Sequence, residues 1–158
     1  MRKLFVVFLI VLSFNVFYSA FDLFKVQEIS VYAFQRVANE EGYALTNIDY
    51  NDSSVVSTLR AGCGEGSEML YLTLKDDNVV NDFVNNLITS YGSRDSDFRG
   101  LHSFVCDKFA MLNFKRYSIN FKSSYLEIYT VNNKVITLYS NNKSTKDTLI
   151  PVYKELIK

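Results

Sequence analysis

The chain has no tryptophan, one proline, one histidine and only two cysteines. Each scarcity removes a class of function. His102, Cys63 and Cys106 fall short of the four ligands of a structural zinc site and show no paired ligand spacing, so no metal site is expected. Neither sign of charge is in excess, with 17 basic and 17 acidic residues. All the acids follow Phe21, so setting aside Arg2 and Lys3 leaves 15 basic residues against 17 and a net charge near −2 for the remainder. Without a basic patch or a run of Lys and Arg, direct nucleic-acid binding is not expected. No repeat, linker or low-complexity segment interrupts the sequence.

What is present begins with a long apolar run. Behind Arg2 and Lys3, a charge-free stretch of 18 residues opens at Leu4 and closes at Phe21. As a helix it spans roughly 27 Å, close to the ~30 Å of bilayer hydrocarbon. A cleaved signal peptide needs small residues one and three positions before the cut. Cutting after Ala20 puts Tyr18 at the third position back, and cutting after Ser19 puts Phe17 there. Cutting after Ser13 leaves a minimal apolar core. Retention as a membrane anchor is therefore expected, with the basic stub 1–3 in the cytoplasm and residues 22–158 exported. The alternative is cleavage, which would release a secreted or periplasmic domain with a ligand-binding or adhesin-like role.

Eleven Tyr and thirteen Phe favour pleated sheet over a helical bundle. The spacing of Val26, Ile29, Ala33, Val37 and Ala38 predicts a helix over 21–41, stopped at Gly42. "YALTNIDY", "VVSTLR" and "MLYLTL" read as strands, the last of them central. Val79, Val80, Phe83, Val84, Leu87 and Ile88 give the clearest helix, with Asp76, Asp77 or Asn78 at its start and Gly92 at its end. Residues 93–100 read as a polar loop, and 102–114 is ambiguous between helix and strand. "YSINF", "YLEIYTV" and "KVITLYS" predict a three-stranded meander, with Asn132 and Asn133 forming a two-residue turn. A last helix, with Thr145 or Asp147 near its cap and Pro151 in its first turn, buries Leu149, Val152, Tyr153, Leu156 and Ile157. The expected fold is α+β: a largely antiparallel sheet with a C-terminal β-meander and flanking helices, preceded by an N-terminal transmembrane helix.

Few residues invite chemistry. "GCGEGS" lacks the Lys-Ser/Thr ending of a phosphate loop, and Glu65 would repel phosphate, so a turn that positions Cys63 is expected. In an exported domain Cys63 and Cys106 are expected to form a disulfide, closing a loop of 44 residues and contributing ~4 kcal/mol on the chain-entropy model. That bond would remove the thiol from a His102–Cys106 pair, the one candidate for nucleophilic catalysis. Asp76, Asp77, Asp95 and Asp97 lack the ligand spacing of a calcium loop. Asn51 and Asn142 match glycosylation acceptors, which matter only in a eukaryotic host. Tyr117, Phe121, Tyr125 and Tyr129 either line a pocket or pack the sheet against helices. No catalytic residue and no cofactor is expected.

The layout resembles a group of small bacterial proteins. The "MRK" stub, one uncut-looking apolar segment and a domain of about 138 residues with two cysteines are similar to the PsaF/MyfF-type companions of membrane-bound transcription activators. ToxS, TcpH and VtrC are more distant analogues. The resemblance implies a non-enzymatic protein of the bacterial inner membrane. Its periplasmic domain would bind and stabilise that of a membrane-spanning activator and so promote fimbrial or virulence gene expression. It also implies a possible small apolar ligand such as a bile salt. The helices around Val79–Ile88 and Leu149–Ile157 depart from the β-barrel in which that ligand is held.

Overall fold

The computed structural model describes residues 29–92, 104–105, 114–121 and 124–156. The expected anchor, residues 4–21, lies outside them, as do His102, Cys106, Asp95 and Asp97. Among the described residues no helix is long and apolar enough to cross a membrane.

The described residues open with helix α1 (Val31–Glu40), followed by strands β1 (Ala44–Asn47), β2 (Val55–Gly62) and β3 (Glu68–Leu74). Helix α2 (Val80–Gly92) follows, then a two-residue strand β4 (Phe104–Val105). Strands β5 (Phe114–Asn120), β6 (Tyr125–Val131) and β7 (Lys134–Ser140) come next, and helix α3 (Lys143–Leu156) closes the domain. Every strand pairing is antiparallel. The sheet order is β1-β2-β3-β7-β6-β5-β4, which is two meanders joined where β3 meets β7. The expected α+β class and the C-terminal meander are therefore present, as six full strands with a short seventh at one edge.

Helices cover both faces of the sheet. Phe34, Val37 and Ala38 of α1 and Leu149, Tyr153 and Leu156 of α3 pack on Met69, Tyr71, Ile136 and Leu138. On the opposite face Val80, Phe83, Val84, Leu87 and Ile88 of α2 pack on Leu70, Leu72, Leu126, Ile128 and Val135. The strand period of two sends alternate residues into the two layers, so central strands must be apolar on both sides. All seven residues of β6 are buried. Each fully buried Leu, Ile or Phe contributes on the order of 1.5–3 kcal/mol relative to exposure.

Local signals fix the boundaries. Ser30 caps α1 by accepting from the Tyr32 N–H at 3.2 Å, so among the described residues the helix starts at Val31, and residues 21–28 of the expected helix lie outside them. Its end is a Schellman motif: Gly42 N–H donates to Asn39 O (3.1 Å) and Tyr43 N–H to Ala38 O (2.8 Å), with Gly42 at φ +71°. Asn132 takes φ +50° in the β6–β7 turn, as its side chain tolerates. The start of α3 departs from expectation. Asn142, not Thr145 or Asp147, is the cap, with its Oδ1 accepting from Thr145 N–H at 2.7 Å. Pro151 consequently lies inside the helix instead of its first turn. There it supplies no N–H to the Asp147 carbonyl, a cost that the capped start and the buried face offset.

Candidate functional site

Among the described residues the most unusual group is a carboxylate inside the sheet. Glu127 stands at the centre of β6 and is 1% exposed. The register explains its partners. Ser118 lies directly opposite Glu127, Arg116 lies opposite Tyr129, and Tyr125 is two residues away on the same face. Ser118 Oγ donates to Glu127 Oε2 at 2.7 Å, the Tyr125 hydroxyl donates to the same oxygen, and Arg116 Nε donates to Oε1. Two partners on β5 and one on β6 therefore converge on one side chain. Lys146 of α3 places its Nζ 4.2 Å from the centroid of the Tyr125 ring, and the Tyr153 hydroxyl donates to the Ile136 carbonyl at 3.2 Å.

The electrostatics follow from burial and this one negative charge. Burial raises the pKa of the Tyr125 phenol, and its hydrogen bond to Glu127 raises it further. Burial alone pushes Tyr129 up to about 12, with the Arg116 charge opposing. Tyr153 is raised well above its ordinary value, first by burial and then by the charge of Glu127. For Arg116, burial pulls downward, but the hydrogen bond to Glu127 and its charge outweigh that and raise the value. All three phenols therefore stay protonated near neutrality and none acts as a base. Both carboxylate oxygens already accept hydrogen bonds. The group is a satisfied buried ion pair that fixes the β5–β6 register, and its geometry assigns it no reaction.

The glycine-rich loop has a structural use that its sequence did not disclose. Gly64, Glu65 and Gly66 all take positive φ, at +80°, +48° and +73°. That path carries Glu65 to the start of α3, where its Oε2 accepts from Asn142 Nδ2 (3.2 Å) and Thr145 Oγ1 (2.9 Å). The loop thus brings its own anion to a helix N-terminus, the position a phosphate would take in a phosphate loop. Asn142, a nominal glycosylation acceptor, has its amide committed to this cap.

Cys63 begins the same loop and is half-buried against the α1–α3 layer. Its thiol is pushed up to about 12, chiefly by burial and secondarily by the charge of Glu68. It has no disulfide partner among the described residues. Its expected partner, Cys106, lies outside them.

The remaining candidates disperse. Asp76 accepts from the Asn78 N–H at 2.8 Å, in a turn ahead of α2. Among the described residues no three acids, cysteines or histidines gather in a way that could hold a metal. The aromatic row splits between layers: Tyr117 and Phe121 face the α2 side, whereas Tyr129, and Tyr125 by alternation with it, face the α3 side. Strand alternation across the β5–β6 register forces that split, so these four side chains do not line one pocket. Sequence reading missed Glu127, although a lone acid within "YLEIYTV" and an arginine in the preceding strand were visible signals. No family model, curated protein or solved structure matches the chain.

Proposed function

We propose that this protein is a non-enzymatic accessory protein of the bacterial inner membrane. Residues 4–21 anchor it with the N-terminus in the cytoplasm and the α+β domain in the periplasm. There the domain binds and stabilises the periplasmic domain of a membrane-spanning transcription activator, promoting fimbrial or virulence gene expression. The observation that carries the reading is the layout: a basic stub, an apolar run of bilayer length with bulky residues where a peptidase needs small ones, and one compact domain beyond it.

Two structural features support a binding role. The buried carboxylate has all its donors supplied from within the domain, so its burial already has a structural account. Strand β1 is an edge of the sheet, largely exposed and without a charged residue. Edge strands are usually protected by charge, and an uncharged one offers backbone groups to a partner's strand. Confinement of both partners to one membrane raises their effective concentration, so a modest contact suffices.

The test is direct. The full chain, tagged at its C-terminus, is co-expressed with a candidate membrane-spanning activator. Fractionation and N-terminal sequencing follow. The reading expects an uncut N-terminus in the inner-membrane fraction and co-purification of the activator. A soluble mature form starting near residue 21 would overturn the anchor, and an anchored chain that leaves the activator behind would overturn the partnership.

A further inference from the structure

We infer that the outer face of α1, centred on Tyr32 and Arg36, rests in the headgroup zone of the bilayer that holds the chain. The inference depends on the anchor proposed above and adds a specific face and orientation to it.

The first observation is a fixed point. Ile29 is buried, and its carbonyl accepts a hydrogen bond from the buried Tyr71 hydroxyl at 3.0 Å. The polypeptide is therefore pinned to the core at residue 29. Between the end of the apolar run at Phe21 and that pin lie seven residues, 22–28. Seven residues reach at most about 25 Å when fully extended. The start of α1, immediately past the pin, is thus held within about 25 Å of the end of the apolar run whatever path those residues take.

The second observation is what α1 turns outward at that end. Phe34, Val37 and Ala38 point into the core. Tyr32 and Arg36, four residues apart and so on one helical face, point away from it. Tyr32 is 79% exposed, the more open of the two exposed large hydrophobic side chains among the described residues. The Arg36 side chain is 67% exposed. Tyrosine and arginine suit the headgroup level: the ring is apolar with a polar tip, and the guanidinium reaches phosphate while its stem lies along apolar surface. Arg36 Nε lies 4.0 Å from the Glu40 carboxylate one turn further along the same face, so this pair is close to neutral and the Tyr32 ring is the part of the face that a bilayer would cover. An aromatic left exposed at the membrane-proximal end of the first helix is thereby given a covering surface.

The absence of tryptophan supplies the probe. Tyr32→Trp places a single reporter on the proposed face. Asn86→Trp places one on an exposed position of α2, across the sheet from α1. Each full-length variant is reconstituted into phosphatidylcholine–phosphatidylglycerol vesicles, with or without bromine on the acyl chains near the headgroups. Flotation is measured first. The expected result is that both variants float, that Tyr32→Trp emission is blue-shifted and loses a large part of its intensity in brominated vesicles, and that Asn86→Trp emission is unchanged. Floating variants with equal quenching, or with none at either site, overturn the docking of α1 while leaving the anchor standing. Failure to float overturns the anchor and the inference with it.

Discussion

The buried ion pair makes a quantitative prediction with a built-in asymmetry. Replacing Arg116 by Met keeps much of the side-chain stem and removes the Nε donor to Glu127. Removing one partner of a buried pair costs about 3–5 kcal/mol when the survivor has no access to water. The Glu127 side chain is 1% exposed, so the carboxylate cannot regain hydration, yet Ser118 and Tyr125 still donate to it. The expected cost therefore falls to the lower limit of that range or just below it, about 2–3 kcal/mol, or a drop in Tm of roughly 10 °C for a domain of this size. Glu127→Gln should cost less, because the Arg116 side chain is 34% exposed and its guanidinium can turn to solvent. The double variant should be milder than the sum of the two, since no charge is then left buried alone. Urea unfolding followed by far-UV circular dichroism measures all three. A cost for Arg116→Met within the ~0.5 kcal/mol typical of surface substitutions would refute the reasoning, as would a double variant whose cost is simply additive.

Other consequences follow from the same geometry. Gly42→Ala places a Cβ where nothing lies within 4 Å, so its cost of about 1–2 kcal/mol comes from the left-handed backbone alone; a neutral substitution in thermal unfolding would contradict the Schellman assignment. Asn142→Ala removes the cap of α3 and the donor to Glu65, and should destabilise by about 1 kcal/mol on a urea curve. The expected Cys63–Cys106 disulfide predicts that thiol titration in denaturant without reductant finds no free thiol, and two free thiols per chain would refute it. Burial raises the Cys63 thiol from 9.0, and the Tyr129 phenol from 10.0, to about 12. The fold then holds protons that the unfolded chain releases, so stability that is complete below pH 9 should decline as pH rises from 9 to 12. A stability curve flat across that interval would remove the burial argument for both groups.

Legibility differed by element, for physical reasons. The α2 helix was readable because its apolar residues recur at helical spacing along one face against the sheet. The β6–β7 hairpin was readable because Asn132 and Asn133 tolerate the turn's backbone. The start of α3 is not legible locally: Pro151 resembles an N-terminal signal, whereas the cap depends on Asn142 and on Glu65, which is 77 residues away in sequence. Tyr117, Phe121, Tyr125 and Tyr129 looked like one row because they are evenly spaced. Their faces depend on pairing, and a register in which Tyr117 meets Ile128 and Tyr125 meets Asn120 sends them to opposite layers.

By itself, then, the sequence determined what is local: which segments are apolar with period two or near four, where turns are permitted, and that an uncharged run of bilayer length precedes the domain. Those properties reside in neighbouring residues and need no partner. Only the tertiary structure decided that β3 joins β7, that Glu127 is buried against Arg116 and Ser118, that Glu65 caps a distant helix, and that Tyr32 is left facing outward. Each depends on which strand lies beside which, and that choice minimises exposed apolar area and unpaired polar groups over the whole sheet at once.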